Sequence, residues 1–317
     1  MKKLVISLLV VPAVLATASC GGGEKQQSGR EWLRSNDVTI AVDETFRQII
    51  SEAFDIFASE HLEATLRPLY CSEDSALRLL CADTLRAAVV TRMLSDNEKA
   101  LLARHKLSAK QALIAYDAFA LITSRACPDT LITLDDLRGI VSGRITRWEQ
   151  LTNAKRSGEL RLVFDHSGSS TVRYMKDSLN AGRPLSGNIF AQGSNAAVIE
   201  AVKDNPDVIG VVGTDWLRSP KGPVLGNFSE LPVSVMKVAR KAGEDAFYCR
   251  PYQAYIATAD YPLIRSVYVI TTDPRERSQT KLLYFFLKGQ KGQTLICNSS
   301  QLLPNSPVQL KSVSIKD

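Results

Sequence analysis

One stretch of the chain decides the fold, VFDHSGSSTVRYMK at residues 163–176. Its apolar start predicts the end of a buried strand, and the spacing of its later apolar residues predicts a helix. A strand–turn–helix of this kind leaves the first N–H groups of the helix without intrahelical partners. Those donors, the turn hydroxyl groups and the positive end of the helix dipole together favour a bound anion. The alternative interpretation is that Ser169 or Ser170 only caps the helix.

The beginning of the chain predicts an export signal with a lipid attachment site. A basic Met-Lys-Lys is followed by an apolar run to Leu15 and by the small-residue sequence ATASC at residues 16–20. The apolar run is too short for a comfortable membrane span, so we predict a signal peptide at residues 1–19. The cysteine resembles that of a bacterial lipobox, in which Cys20 is acylated, for example with palmitate; the alternative is an ordinary secretory signal. Residues 20–35 then comprise the lipidated cysteine and a polar tether rich in Gly and Gln.

The composition limits the classes of function that need to be considered. The 317 residues are 45% hydrophobic and 23% charged, which suits a soluble globular protein of one large or two medium domains. Loss of Lys2 and Lys3 with the signal peptide lowers the formal charge from +6 to +4. With no basic run, nucleic acid is not indicated as a partner. Five cysteines besides Cys20 are an odd number, so at least one of them remains a free thiol. The sequence has no C-x-x-C pair and its histidines are scattered, so we expect no metal site.

Three strand–turn–helix units follow one another after the tether. Strands are predicted at residues 38–42, 66–70 and 87–90, with helices over residues 46–57 and 77–81. This succession predicts an α/β sheet whose loops lie at one edge, beyond the carboxyl ends of the strands, where ligands bind in such folds.

Further elements are predicted along the remainder of the chain. Strands are expected at Ala118–Ile122, Val208–Val212, Val233–Val238, Tyr252–Ala257 and Val267–Thr271, and helices at Leu134–Ile140, Ala196–Lys203 and Thr280–Lys288.

Four short motifs stand in the order that is typical of one family. Residues 142–148 (SGRITRW) look like S-G-K-I-T-x-W, and residues 168–171 (GSST) look like a G-S-G-T phosphate loop. Residues 207–212 (DVIGVV) resemble a strand containing A-I-G-Y, and residues 261–265 (YPLIR) resemble Y-P-L-T-R. Over roughly residues 38–304 the chain therefore resembles the phosphate-binding lipoproteins of the bacterial Pst ABC transporter and the wider class of periplasmic binding proteins.

The resemblance implies an α/β fold, the two-lobed type II periplasmic binding protein fold with two crossover strands. The strand near Phe119 would cross to the second lobe, and the strand near Val267 would cross back. Lobe 1 would comprise residues 36–117 with 268–317, and lobe 2 residues 118–267. The ligand would lie between the lobes.

The resemblance also implies a set of ligand-binding residues. The family's first-strand T-F corresponds to Thr45 and Phe46, its serine loop to residues 72–75, and its third-strand loop to Thr91 and Arg92. Its R-x-x-G-S-G-T corresponds to residues 165–171. The expected ligand-binding residues are Thr45, Phe46, Ser75, Thr91, Arg92, Ser169, Ser170, Thr171 and Arg173.

Two positions depart from the family pattern. The family arginine that pairs with the anion aligns with Asp165, and the family aspartate that accepts the remaining proton of phosphate aligns with Thr91. Other carboxyl groups are expected in cleft-facing loops at Glu44, Glu73 and Asp74. A dry anion site tolerates ionised carboxylates only where cations offset them. We expect Arg92 or Arg173 to supply this counter-charge, and the alternative for both is a surface salt bridge.

The sequence therefore favours a lipid-anchored binding protein of an ABC importer, on the periplasmic or cell-surface side of a bacterial membrane. It would bind inorganic phosphate or a related oxyanion as a monomer and pass it to a permease by lobe closure, without a cofactor. The alternatives are a binding protein for a different small solute, or a structural or surface lipoprotein without a ligand. An enzyme is not indicated, because Ser169 lacks a G-x-S-x-G context and His166 is only a local neighbour.

Overall fold

A computed structural model describes residues 37–62, 65–218 and 228–307. The predicted signal peptide, the predicted acylation site Cys20 and the predicted tether lie outside the described residues, as does the last part of predicted lobe 1. Within the described ranges, no helix has both the length and the apolar character needed to cross a membrane.

The described part of the chain is a mixed α/β structure. Its strands are β1 (Asp37–Asp43), β2 (Thr65–Cys71), β3 (Ala87–Val90), β4 (Lys110–Ser124), β5 (Leu131–Thr133), β6 (Arg161–Phe164), β7 (Ile189–Ala191), β8 (Val208–Gly213), β9 (Val233–Val235), β10 (Lys237–Ala239), β11 (Ile264–Thr271) and β12 (Leu303–Pro304). Its α-helices are α1 (Arg47–Glu60), α2 (Glu73–Cys81), α3 (Asp96–Arg104), α4 (Leu134–Ser142), α5 (Ser170–Tyr174), α6 (Asn195–Lys203), α7 (Gln253–Ala257), α8 (Gln279–Lys288) and α9 (Gln290–Ser299). Short 3₁₀ turns include Glu44–Phe46 and Thr214–Trp216, and a π-helical turn, Met175–Leu179, follows α5.

Most of the described strands belong to one connected sheet. Its order is β2-β1-β3-β11-β4-β8-β6-β7, and β9 and β12 each pair with β4. Strand β1 is parallel to β2 and β3, and β6 is parallel to β7 and β8. Strands β4 and β11 run antiparallel to each other and to their other neighbours in the path. Strands β5 and β10 form a separate parallel pair.

Strand β4 changes its partner halfway along its length. It pairs with β11 from Lys110 to Ala118 and with β8 from Phe119 to Ile122. The sequence predicted only the apolar second half of this strand, because the first half contains polar residues that interrupt the apolar run.

The buried apolar side chains form clusters that divide at this change of partner. One cluster draws on residues 38–57, 87–89, 114–115 and 267–302. A second draws only on residues 118–263 among its buried members. Two smaller clusters respect the same division, since one includes residues 41–102 with Ile270 and the other residues 120–235. The two halves of the sheet thus bury their apolar surface separately.

The predicted strand at Tyr252–Ala257 is wrong, because these residues form the short helix α7. Its apolar contacts come from Tyr255 and Ile256, with Tyr252 at the N-cap, and this i, i+3, i+4 spacing is that of a helix and not of a strand. The side-chain amide of Gln253 donates to the carbonyl oxygens of Ser300 and Leu302, each at 2.8 Å. Contacts with a distant part of the chain therefore stabilise the helix.

Candidate ligand-binding site

Two strand–turn–helix junctions face each other in the folded chain. The first follows β1, where Oδ1 of Asp43 accepts a hydrogen bond from the backbone N–H of Thr45 at 3.0 Å. The second follows β6, where Oγ of Ser169 accepts from the N–H of Val172 at 3.2 Å and so caps α5. Because α5 has only five residues before the π-helical turn, its dipole contributes less to an anion site than the sequence suggested.

Contacts between residues far apart in sequence bring these junctions together. The indole N–H of Trp216 donates to the carbonyl oxygen of Thr45 at 2.9 Å. The amide of Asn195 donates to Glu44 of the first junction at 2.7 Å and to Asp165 of the second at 3.4 Å. A β-carbon added to Gly213 would lie 2.2 Å from Cγ2 of Thr45. Only glycine therefore allows the end of β8 to approach the first junction this closely.

Arg265 is the cation at the meeting point of the two junctions. Its Nη1 donates to Oγ of Ser170 at 2.6 Å, and its guanidinium carbon lies 5.1 Å from the centre of the Phe46 ring. It is 5% exposed and pairs with the fully buried Asp117, with 2.9 Å between Nε and Oδ2. The hydroxyl of Thr214 donates to the other oxygen of Asp117 at 2.7 Å. Sequence reasoning missed Arg265 as a site residue, although a single Asp within the apolar run of β4 was a signal for a buried ion pair.

Arg173 connects α5 to the loops after β2 and β3. Its Nε donates to Glu73 at 2.5 Å, and its Nη2 donates to Oγ1 of Thr91 at 2.8 Å. The same carboxylate of Glu73 accepts from the N–H and the hydroxyl of Thr91, at 2.7 and 2.6 Å. Burial raises the pKa of Glu73, but Arg173 and Thr91 together hold that pKa below its ordinary value. Glu73 is thus an ionised, fully engaged carboxylate, and its pair with Arg173 is not a surface salt bridge.

The other two expected site residues make local contacts. Arg92 donates to both carboxylate oxygens of Glu98, at 2.7 and 2.8 Å, and these hydrogen bonds lower the pKa of Glu98 to about 2. The hydroxyl of Ser75 lies 3.0 Å from that of Ser72 and accepts from Arg78 on its own helix. Neither residue is linked to the two junctions by these contacts.

Four oxygen atoms at the junctions have no hydrogen-bond partner among the described residues. They are Oδ2 of Asp43, Oγ1 of Thr45, Oδ1 of Asp165 and Oγ1 of Thr171. All four residues are at most 1% exposed, whereas buried polar groups are nearly always hydrogen-bonded. Two of these groups come from each junction, so the unpartnered atoms mark a place where a polar ligand would find partners on both sides.

The two carboxyl groups among them titrate abnormally. Burial raises the pKa of Asp43 to about 6, although the guanidinium of Arg265 acts in the opposite direction. Burial also raises the pKa of Asp165, against the lowering effect of the Ser169 hydroxyl. In the part of the chain that the structure describes, no group of three or more His, Cys, Asp or Glu side chains could hold a metal ion.

The chain belongs to the PBP superfamily, whose domain matches residues 22–289. It is 21% identical over 225 residues to the phosphate-binding protein PstS of Bacillus subtilis, covering 69% of this chain and 73% of that protein. An ABC-type phosphate transport receptor from Vibrio cholerae superposes with a TM-score of 0.63 at 18% identity, over 84% of this chain and 99% of that chain. The high-affinity periplasmic phosphate-binding protein PfluDING, bound with phosphate at pH 8.5, has a TM-score of 0.68 at 14% identity, over 84% of this chain and 90% of that chain. These likenesses confirm the predicted type II periplasmic binding protein fold.

Proposed function

We propose that this protein is the binding component of an ABC importer and captures phosphate or a related oxyanion between the two junctions. The observation that carries the proposal is the pair of fully buried hydroxyl groups of Thr45 and Thr171, one from each junction, which have no hydrogen-bond partner among the described residues. The guanidinium of Arg265 reaches the second junction at Ser170. Hydroxyl groups donate to oxyanions, and a buried guanidinium supplies charge where water does not screen it. The phosphate-binding function of the relatives supports the same ligand class.

The proposed mechanism is lobe closure around the ligand, with no reaction and no cofactor. Lobe 1 is assigned to residues 36–117 with 268–317 and lobe 2 to residues 118–267. Two observations support these boundaries: the buried clusters divide at the same place, and β4 changes its partner between Ala118 and Phe119. Hinge motion about two such strands would let solute enter and leave.

The structure favours a revised source of counter-charge. Arg265 contacts Ser170 of the second junction, whereas Arg92 is engaged by Glu98. Arg173 remains in the proposed site as the residue that joins lobe 2 to Thr91 of lobe 1. In this arrangement Thr45, Phe46, Ser169, Ser170 and Thr171 surround the ligand, while Ser75 is left with its local contacts.

The protein is further proposed to act as a monomer, anchored through acylated Cys20 at the outer face of a bacterial membrane. The lipobox-like sequence before Cys20 supports the anchor. An anchored binding protein stays near its permease, which removes the need for diffusion between capture and delivery.

Calorimetric titration with phosphate tests the proposed ligand. Each hydrogen bond to a charged group contributes about 1.5–3 kcal/mol, so Thr171→Val should weaken phosphate binding about tenfold to a hundredfold. Ser59→Ala is the control, since this exposed hydroxyl donates to the carbonyl of Ile56 on its own helix α1, and it should leave the affinity unchanged. If the parent protein binds neither phosphate nor sulfate at millimolar concentration, the alternatives of a different solute or of a ligand-free lipoprotein replace this proposal.

A further inference from the structure

Two carboxyl groups at the junctions differ from the other buried acids around them. Three neighbouring carboxyl groups form ion pairs: Glu73 with Arg173, Asp117 with Arg265, and Asp215 with Arg218. Asp43 and Asp165 are each 1% exposed, form no ion pair within the described ranges, and each keep one oxygen without a hydrogen bond. Each of these three arginines is paired with a carboxylate, so among the described residues Asp43 and Asp165 have no ion-pair partner of their own.

The groups that face Asp43 come from four different elements. Arg265 of β11 approaches it as a cation, Glu73 of α2 and Asp165 after β6 as acids, and Ser170 of α5 as a hydroxyl. On the sheet, Cys71 at the end of β2 also lies within its electrostatic reach.

The groups that face Asp165 are fewer and mostly neutral. Ser169 and the backbone of His166 stabilise its ionised form, and Arg265 and the His166 side chain act more weakly in the same direction. The amide of Asn195 on α6 lies 3.4 Å from Oδ2. Asp165 thus has donors on one oxygen, while Oδ1 is left for another partner.

An oxyanion between two ionised, unpaired carboxylates would be strongly repelled in a dry site. A protonated carboxyl group carries no charge, and its O–H can donate a hydrogen bond to the oxyanion. We propose that Asp43 and Asp165 act as neutral hydrogen-bond donors to the bound oxyanion, and so restrict tight binding to acidic conditions. The raised pKa values of both groups fit this role. The inference rests on the proposed function and adds to it the two residues whose protonation makes ligand binding depend on pH.

The opposite arrangement has a distinct chemical signature. If Asp43 or Asp165 bound the ligand as a carboxylate, it would accept a proton carried by the ligand itself. Sulfate carries no such proton near neutral pH, so an accepting carboxylate excludes sulfate and a donating carboxyl group admits it. Sulfate therefore separates the two roles without any substitution.

The experiment measures Kd for phosphate and for sulfate from pH 5 to pH 8 on the parent protein, Asp43→Asn, Asp165→Asn and the double variant Asp43→Asn/Asp165→Asn. Asparagine keeps an oxygen for the N–H of Thr45 or for Asn195 and has an N–H donor at every pH. Asp96→Asn, which changes an exposed carboxylate on α3, is the control. Dividing the parent's Kd by that of each variant at the same pH removes the titration of phosphate itself.

The parent should bind both anions at pH 5. Above pH 6, its Kd should rise by up to about tenfold per pH unit relative to Asp43→Asn, because one proton must be taken up at Asp43 on binding. Each single Asn variant should keep the pH dependence that comes from its remaining aspartate, and the double variant Asp43→Asn/Asp165→Asn should bind sulfate almost as tightly at pH 8 as at pH 5. Asp96→Asn should follow the parent. Circular dichroism at each pH confirms that the variants are folded.

Four results would overturn the inference. Phosphate binding with a pH-independent parent-to-variant ratio, or phosphate binding that excludes sulfate at pH 5, removes the donor role but leaves the proposed function intact. A loss of binding in both folded Asn variants at every pH shows that the carboxylates are acceptors. If the parent binds neither anion at any pH, the proposed function fails together with the inference.

Discussion

The variant Arg265→Met should unfold much more readily than the parent protein. Arg265 is 5% exposed and its partner Asp117 is fully buried. Two nitrogen atoms of the guanidinium lie 2.9 and 2.7 Å from Oδ2 of Asp117. Methionine keeps an apolar chain over the ring of Phe119, which the guanidinium now covers at 4.1 Å. The substitution thus removes the positive charge with little loss of packing and leaves Asp117 with only the hydroxyl of Thr214.

The expected loss is about 3–5 kcal/mol of unfolding free energy, because a buried carboxylate without its cation keeps its desolvation cost. The total stability of a folded domain is only about 5–15 kcal/mol, so such a loss is a large fraction of it. An exposed ion pair behaves differently and contributes about 0.2–1 kcal/mol. Arg138, whose side chain is 48% exposed and pairs with Asp135 at 67% exposure on α4, provides that comparison through Arg138→Met.

Urea unfolding followed by circular dichroism and tryptophan fluorescence measures both losses, and coincident curves validate a single transition. The double variant Asp117→Asn/Arg265→Met completes a cycle, and it should lose much less stability than the two single variants together. The prediction is refuted if Arg265→Met lowers the unfolding free energy no more than Arg138→Met. It is also refuted if the two substitutions at the buried pair are additive.

Three further predictions test the first junction and the anchor. Asp43→Asn should match the parent's unfolding free energy at pH 4 and exceed it by about 3 kcal/mol at pH 8. The parent loses stability between the pKa of an unfolded aspartate, 3.8, and the raised pKa of folded Asp43, about 6. Urea unfolding at both pH values measures the difference, and an equal difference at pH 4 and pH 8 contradicts the prediction. Gly213→Ala should lower the unfolding free energy by about 1–3 kcal/mol and weaken phosphate binding, because the added methyl group collides with Thr45. Gly187→Ala is the control: the space around Gly187 is open, so urea unfolding and phosphate titration should match the parent. Cys20→Ala should move the protein from the membrane to the soluble fraction on cell fractionation, and unchanged partitioning would disprove the anchor.

Local pattern in the sequence determined most of the elements that build the site. Ala87–Val90 was predicted with its observed bounds, and the strands ending before Thr45 and Ser169 lie where the apolar runs placed them. The serine turn after β6 was also recognisable, because a cap depends on residues three positions apart. The order of four motifs was enough to indicate the family, which the comparison with the PBP superfamily confirmed.

Only the tertiary structure decided which arginine stands beside which acid. Arg265 and Asp117 are 148 positions apart, and Arg173 and Glu73 are 100 apart, so no local pattern specifies either pair. Arg92 has a nearby acid at the start of the next helix, and that local pair keeps it from the role that alignment gave it. Helix α7 has the same explanation, since distant carbonyl oxygens hold Gln253. Folding brings these groups together from distant parts of the chain. Burial then makes each ion pair important for stability, because a charge removed from water is costly unless an opposite charge lies beside it.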